Sequence, residues 1–123
     1  MEKIEKVIVT GAAGFIGSNV VDMLLKKGCK VIGLDNFSTG NEKFIKDAST
    51  NNNFQLVNCD LLQPKEFEEY FHQSDIIFHL AANADVRFGV EHPRKDLEQN
   101  TIATFNVLEA MRKHNISKII FAS

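Results

Sequence analysis

The sequence predicts an α/β fold, a doubly wound parallel sheet with strand order 3-2-1-4-5 and right-handed crossovers. Apolar segments alternate with amphipathic ones along the 123 residues. Residues 76–78 and 119–121 are apolar at consecutive positions, which is typical of parallel strands covered by helices on both faces. A glycine-rich turn joins the first predicted strand to the first predicted helix, as in sheets that bind ligands at their carboxyl edge.

The first half of the chain opens with a buried run, Val7 to Val9, which predicts the first strand. Ile16, Val20 and Leu24 then recur at helical spacing until Gly28 ends the helix. Residues 38–53 form the one segment rich in Ser, Thr, Asn and Gly. The elements predicted here are strands at residues 6–10, 30–34 and 54–59 and helices at 15–27 and 42–47.

In the second half, Pro64 fits the first turn of a helix, where its missing N–H costs nothing. The last helix has a stripe of larger side chains at three- and four-residue spacing, predicted to pack in the core. The stripe is Leu97, Thr101, Phe105, Leu108 and Met111. The elements predicted here are helices at residues 64–71 and 94–113 and strands at 75–80 and 118–122.

Length and charge exclude several classes of protein. The chain has the length of one domain, and a formal net charge of -2 argues against nucleic-acid binding. No apolar run is as long as a membrane span, and the charged start leads directly into a strand, which favours a cytoplasmic protein. Cys29 and Cys59 lack metal-ligand spacing and are predicted to be buried free thiols, so no metal site is expected.

The glycine-rich turn predicts a dinucleotide site. Gly11 would form the tight turn, Gly14 would let phosphates approach, and Gly17 would let the helix pack closely on its strand. A helix N-terminus also carries about half a positive charge toward the anion. A nucleoside-triphosphate loop is excluded, because it needs Lys and then Ser or Thr after the last glycine, where this chain has Ser18 and Asn19.

Asp35 ends the second strand eighteen positions after Gly17, near the spacing at which a carboxylate accepts hydrogen bonds from the adenosine ribose. It predicts NAD rather than NADP, because a 2′-phosphate would be repelled and residues 36–41 hold no Arg or Lys to offset this. The alternative is a carboxylate that only caps a loop.

Four further positions follow the third and fourth strands or lie in the last helix. Asp60 is interpreted equally as an acceptor for the adenine amino group or as a helix cap. The small residues from Ala81 to Ala84 would let backbone approach a ligand. His79 is predicted to be a structural imidazole. Asn100 has either a structural role at the loop after the fourth strand or a contact with the cofactor ribose.

These motifs together resemble the extended short-chain dehydrogenase/reductases, within them the NAD-dependent nucleotide-sugar epimerase/dehydratase family, the group of UDP-glucose 4-epimerase. The resemblance covers essentially the whole chain. It is carried by the segments TGAAGFIGS, LDNFSTG, NCDLL and HLAANADVR and by Asn100 followed by NVLEA. It implies a Rossmann fold, NAD as cofactor and a nucleotide-sugar as substrate.

The resemblance also implies where the cofactor is held. Phe15 and Ile16 would lie along the pyrophosphate, and Asp35 and Asn36 at the adenosine ribose. Asp60 and Leu61 would lie at the adenine, and the loop Ser38, Thr39 and Gly40 would cover the adenosine end. The nicotinamide side would be lined by Leu80, Ala81, Ala82 and Ala84, supported by Asn100.

The chain departs from the family pattern at the catalytic base. Family members use a tyrosine with a lysine four positions later, but the sole tyrosine, Tyr70, is followed at that distance by Ser74. Ser123 corresponds to the start of the family's catalytic serine loop and is not interpreted as the catalytic hydroxyl. No catalytic residue is therefore assigned.

The chain, residues 1–123, is interpreted as an incomplete Rossmann domain: the NAD-binding N-terminal portion of such an enzyme, without the later strands and the substrate domain. Alone it is expected to be inactive. It is also expected to self-associate, because apolar surface around Ile119 and Phe121 would be exposed at the sheet edge. One alternative is a non-catalytic dinucleotide-binding or redox-sensing module; another, an NADP-dependent carbonyl reductase, is disfavoured by Asp35.

Overall fold

A computed structural model describes residues 3–38, 40–81 and 90–122. Its five strands form one parallel sheet in the order β3-β2-β1-β4-β5, which confirms the predicted fold and topology. The strands are β1 (Lys6–Thr10), β2 (Lys30–Asp35), β3 (Phe54–Asn58), β4 (Ile76–His79) and β5 (Ile119–Phe121). Each lies within two residues of its predicted bounds.

The strand register aligns the positions from which the candidate site is built. Thr10 at the end of β1 is paired with Leu34 on one side and His79 on the other. Asp35 at the end of β2 is paired with Asn58 at the end of β3. The loops that follow these strands therefore meet at one carboxyl edge of the sheet, where doubly wound proteins bind their ligands.

The helices differ more from prediction than the strands do. Helix α1 spans Phe15–Lys26, α2 spans Pro93–Leu97 and α3 spans Ala103–Lys113, with a π-helical turn at Glu98–Ile102 between the last two. The single helix predicted at residues 94–113 is therefore interrupted. The helices predicted at 42–47 and 64–71 are short 3₁₀ segments instead, at Glu42–Ile45, Ala48–Thr50, Pro64–Glu66 and Glu68–Phe71.

The break within residues 64–71 falls at Phe67. Phe67, between the two 3₁₀ turns, has φ of -136° and a fully buried side chain, and Phe71 is also fully buried. The two rings lie 5.7 Å apart in the same core cluster. Residues four apart share one face of a regular α-helix as well, so the burial of the two rings does not account for the break. A segment this short gains little from helix propagation, which favours short turns.

Two core clusters cover the two faces of the sheet. On one face Ile8, Ile32 and Ile77 pack against Val107 and Met111 of α3. On the other, Val7, Val9, Val31 and Ile76 pack against Val21 and Leu24 of α1. Neighbouring residues of β1 thus enter opposite cores, as a doubly wound sheet requires.

The prediction that the apolar stripe of the last helix packs in the core is wrong. Leu97, Phe105 and Leu108 are 48%, 60% and 46% exposed, and Thr101 is exposed as well. Of the stripe only Met111 is buried. The buried residues of α3 also include Ala103, Val107 and Ala110, since small side chains let a helix approach a sheet closely.

Both cysteines are free and buried, as predicted. Burial, helped by the carboxylates of Glu66, Asp35 and Asp60, raises the pKa of the Cys59 thiol to about 12. Such a thiol stays protonated and unreactive at neutral pH.

Candidate dinucleotide-binding site

Gly11 lies where three segments of the chain meet. Its φ of +69° is in the left-handed region, and its N–H donates to the carbonyl of Leu34 at the end of β2 (2.8 Å). A Cβ at this position would lie 2.9 Å from the backbone nitrogen of Ala81, in the loop after β4. Conformation and space both require glycine here, as the motif predicted.

Gly17 lets α1 start directly against this turn. A Cβ on Gly17 would lie 2.8 Å from the carbonyl carbon of Gly11, closer than packed atoms approach. Gly14, the N-cap, donates its N–H to the Gly11 carbonyl (3.0 Å). The three glycines thus form one backbone-to-backbone packing unit.

The N-terminus of α1 is open to an anion. Within residues 3–38 and the other described segments, no side chain caps it, and its first turn contains no acidic residue. The first N–H groups of a helix have no partners inside the helix, and together they carry a partial positive charge. Phe15 and Ile16, the two residues predicted to lie along a pyrophosphate, are 70% and 62% exposed beside it.

Asp35 connects the glycine turn with the loop after β2. One carboxylate oxygen accepts the N–H of Ala13 (2.9 Å), and the other accepts the N–H of Phe37 (2.7 Å). These bonds match the loop-capping alternative. Each oxygen has a second lone pair, so a ribose hydroxyl can still donate to the same carboxylate.

The loop after β2 lies against the glycine turn. Asn36 accepts the N–H of Ser38 (2.9 Å), and Asn41 donates its N–H to the carbonyl of Ala13 (2.9 Å). A Cβ on Gly40 would lie 3.1 Å from a carboxylate oxygen of Asp35, so this residue is close to that carboxylate. Thr39 lies outside the described residues.

The segment after β3 is held mainly by its own contacts. Asp60 accepts the N–H of Leu62 (2.9 Å) and donates its own N–H to Glu66 (3.0 Å). The carbonyl of Leu61 accepts the side-chain amide of Asn106 (2.8 Å). The Asp60 carboxylate thus closes its own turn and does not cap the segment at Pro64, whose N-cap is Gln63 with no side-chain cap, so the capping alternative is wrong. The contact of Asp60 with adenine stays a prediction.

At the end of β4, the structure brings Leu80 and Ala81 to the glycine turn through Thr10. The Thr10 hydroxyl accepts the N–H groups of Leu80 (3.0 Å) and Ala81 (3.1 Å) and is bonded to Nδ1 of His79 (2.7 Å). Ala82, Ala84 and Arg87 lie outside the described residues.

His79 has the structural environment that the sequence predicted. Its ring is 1% exposed, and Nε2 is bonded to the hydroxyl of Thr104 (2.9 Å). Burial lowers the pKa of His79 to about 4, so the imidazole is neutral at physiological pH.

Asn100 lies in the π-helical turn, where its carbonyl accepts the hydroxyl proton of Thr104 (2.7 Å). π-Helical turns occur frequently at functional sites. Sequence reasoning missed Thr10 and Thr104, whose hydroxyls link this turn to the sheet edge. A threonine at a strand end next to the glycine motif was the available signal for Thr10; Thr104 gave none.

In the part of the chain that the structure describes, no group of three or more acidic, histidine or cysteine side chains is arranged to hold a metal ion. Among those same residues, no helix is long and apolar enough to cross a membrane.

Comparison with known proteins identifies relatives that match nearly the full length of this chain. It is 43% identical over 119 residues to a provisionally named UDP-glucose 4-epimerase of Methanocaldococcus jannaschii, covering 95% of this chain and 37% of that protein. It is 36% identical over 124 residues to UDP-glucose 4-epimerase of Mycolicibacterium smegmatis, covering 96% of this chain and 38% of that protein. The chain thus spans less than two-fifths of the length of these relatives.

Solved structures of UDP-glucose 4-epimerases are also similar to this chain. UDP-glucose 4-epimerase of Thermotoga maritima, solved with UDP-glucose, superposes with a TM-score of 0.88 at 37% identity, covering 96% of this chain and 37% of that one. The enzyme of Thermus thermophilus, solved in complex with NAD, gives 0.85 at 37% identity over the same shares.

The glycine turn, the open helix N-terminus and the carboxylate of Asp35 fit a dinucleotide, and NAD is the cofactor named in the matching family. The family model, NAD dependent epimerase/dehydratase family, matches residues 7–123, so the chain belongs to this family.

Proposed function

We propose that residues 1–123 are the NAD-binding portion, an incomplete Rossmann domain, of an enzyme that epimerises or dehydrates a nucleotide-sugar. One observation carries this proposal: the glycine turn and Asp35 are directly joined by a hydrogen bond between the N–H of Ala13 and the carboxylate. The turn proposed to hold the phosphates and the carboxylate proposed to hold the ribose are thereby fixed to each other at the carboxyl edge of the sheet, where such proteins bind their ligands.

The proposed roles are those that the family resemblance implies for these residues. The N-terminus of α1 holds the pyrophosphate, with Gly11, Gly14 and Gly17 providing the space and Phe15 and Ile16 flanking it. Asp35, Asn36 and the loop from Ser38 to Gly40 hold the adenosine ribose, and Asp60 and Leu61 the adenine. Leu80, Ala81, Ala82, Ala84 and Asn100 hold the nicotinamide side. NAD supplies the hydride acceptor and donor for a sugar carbon in this family.

Selectivity for NAD over NADP tests the proposed site most directly. A 2′-phosphate close to Asp35 places a second negative group beside a half-buried carboxylate that already accepts two N–H bonds. Isothermal titration should show NAD binding at least about tenfold tighter than NADP, a difference of about 1.4 kcal/mol. The matched variant Asp35→Asn keeps the shape of the side chain and one acceptor oxygen. It should reduce the preference for NAD over NADP. Tighter binding of NADP to the unmodified chain would contradict the assignment.

The chain alone is proposed to be catalytically inactive, because Tyr70 has no lysine four positions later. Tyr70 instead packs against the core cluster below the sheet. Extending the chain with the remaining segment of a relative, one that carries the tyrosine and lysine pair, should give turnover of a nucleotide-sugar. An extended protein that binds NAD and turns over none of the UDP-sugars offered would argue against the proposal.

A second candidate function is a non-catalytic dinucleotide or redox sensor, favoured by the same missing tyrosine and lysine pair. The two candidates differ in one measurable quantity. A sensor requires a large difference between the affinities for NAD and NADH, whereas the binding portion of an enzyme does not.

We also propose that the chain self-associates at its sheet edge. β5 is the last strand of the described sheet, and its Ile120 and Phe121 are 46% and 53% exposed. An exposed apolar edge strand is a template for pairing with another chain. Light scattering over a concentration series should show a rising mass, and a constant monomer mass would contradict it.

We propose a cytoplasmic location as well. The free cysteines Cys29 and Cys59 support a reducing, cytoplasmic location.

A further inference from the structure

The hydroxyl of Thr10 has all of its hydrogen-bonding capacity in use. A threonine hydroxyl has two acceptor lone pairs and one proton. The N–H groups of Leu80 and Ala81 occupy both acceptor positions at 3.0 and 3.1 Å, and the Leu80 N–H also makes a longer contact with the Thr10 carbonyl (3.3 Å). The third contact, to Nδ1 of His79 at 2.7 Å, can therefore only be made with the Thr10 proton as donor.

This arrangement decides which nitrogen of His79 carries the proton. Because Nδ1 accepts from Thr10, the neutral ring must carry its proton on Nε2. Nε2–H then donates to the hydroxyl of Thr104 (2.9 Å), and that hydroxyl donates onward to the carbonyl of Asn100 (2.7 Å). The four hydrogen bonds that link Ala81 to Asn100 thus all run the same way, with each donor on the Ala81 side and each acceptor on the Asn100 side.

The hydrogen-bonded relay through Thr10, His79 and Thr104 connects two parts of the proposed site that lie in different described segments, residues 40–81 and 90–122. One end is the backbone of Leu80 and Ala81 beside Gly11, and the other is the π-helical turn that contains Asn100. In that turn the regular i to i−4 bonding is interrupted, so a side chain that bonds the carbonyl of Asn100 helps to fix its position.

We propose that His79, in its neutral Nε2–H form, is a positioning residue that sets the π-helical turn of Asn100 against the backbone of Ala81 through Thr10 and Thr104. The proposal rests on the function proposed above only in assigning Ala81 and Asn100 to the nicotinamide half of the cofactor. A merely buried histidine requires neither a fixed tautomer nor an effect confined to one end of a ligand.

The environment of the ring agrees with this role. His79 is 1% exposed, and the ring of Phe121 lies 5.6 Å from it. A proton added at Nδ1 would face a Thr10 oxygen whose lone pairs are both occupied. Burial and hydrogen-bond direction therefore both favour the neutral ring.

The tautomer is tested on the unliganded chain with ¹⁵N-labelled histidine. Long-range proton–nitrogen correlation spectra at pH 7 should show a protonated Nε2 and an unprotonated Nδ1 for His79. A ring protonated at Nδ1, or one that exchanges between the two tautomers, would overturn the proposal whether or not the chain binds NAD.

The positioning effect is tested with two ligands that differ only at the nicotinamide. Thr104→Val keeps the shape of the side chain but removes both hydrogen bonds of the hydroxyl, and should weaken NAD binding about fivefold to tenfold. Binding of ADP-ribose, which lacks the nicotinamide, should change less than about twofold, because its contacts lie at the other half of the site.

Two matched variants complete the test. Thr104→Ser retains the hydroxyl and should restore NAD affinity, whereas Thr101→Val, at an exposed position of the same turn, should leave both ligands unaffected. Equal loss for both ligands, no loss for either, or no rescue by serine would overturn the positioning role. Failure of the unmodified chain to bind either nucleotide would overturn the proposed function instead, with the tautomer still measured independently.

Discussion

The glycine turn and the outer face of α3 are two regions that the sequence pattern described with equal clarity, and only the first has the predicted structure. In the turn, Gly11 and Gly17 lie against backbone atoms of Ala81 and of Gly11 itself. On α3, Phe105 and Leu108 are exposed to solvent, while Ala103 and Ala110 are buried.

The difference lies in what each pattern depends on. The glycine motif is required by backbone contacts, of Gly17 with Gly11 and of Gly11 with Ala81, and by the positive φ of Gly11, which glycine adopts without strain. The face that a helix buries depends on the distance to its neighbours. A close approach to the sheet selects alanine and valine, and leaves larger side chains outside.

Gly17→Ala should disrupt the glycine turn and have the largest effect on stability of the substitutions proposed below. The added methyl would meet the carbonyl group of Gly11, with the carbonyl carbon only 2.8 Å away, and neither backbone segment can move without separating α1 from β1. We expect a loss of at least about 3 kcal/mol in the free energy of unfolding, measured in urea, and loss of NAD binding in titration calorimetry.

Gly28→Ala is the matched control for this change. Gly28 has φ of +85°, but a Cβ there would meet no atom within 4 Å. The cost should be only that of the left-handed backbone, about 1 kcal/mol, with NAD binding retained. Because Gly17 has no left-handed φ, equal losses for the two variants would mean that a small shift relieves its close contact with Gly11 and that close packing does not require glycine at this position.

The second largest expected effect is a dependence of the free energy of unfolding on pH. It arises because His79 is buried beside the glycine turn. The pKa of His79 is about 4 in the folded chain against an ordinary value of 6.5, so between these values the unfolded chain binds more protons. Stability is therefore complete above about pH 6.5 and falls as the pH is lowered toward 4. We expect a loss of about 2 kcal/mol between pH 7 and pH 5.

Urea unfolding at a series of pH values measures this loss. The variant His79→Phe keeps a buried ring without a titrating group, and its stability should vary less across the same range. If the slope is unchanged in the variant, the pH dependence arises elsewhere and the ring is more accessible to protons than its burial indicates.

Sequence reasoning predicted the sheet well for a physical reason. Strands buried on both faces have continuous apolar runs, and their order follows from right-handed crossovers of alternating strands and helices. The same reasoning predicted the short elements poorly. Phe67 and Phe71 are both buried, as a helix with this four-residue spacing would bury them, but a segment this short gains little from helix propagation and forms 3₁₀ turns instead.

The candidate site was predictable only in part. Gly11, Gly17 and Asp35 follow from motif and spacing, but the contacts of Asp35 with Ala13 and Phe37 depend on how the two loops fold together. Thr104 could not be found from the sequence, since it lies 25 residues from His79 in a helix whose π-helical turn has no clear sequence signal.

The outer face of α3 gives the smallest expected effect and completes the comparison. Phe105→Gln and Leu108→Gln replace side chains that are 60% and 46% exposed with a good helix former, so each should change the free energy of unfolding by less than about 0.5 kcal/mol. Val107→Ala, on the buried face of the same helix, is the control and should cost about 2 kcal/mol. If either glutamine variant loses as much as Val107→Ala in dilute solution, that face packs against something in the folded chain, and the original core assignment of the stripe is correct after all. If the loss appears only at concentrations where light scattering detects self-association, the face is buried between copies of the chain.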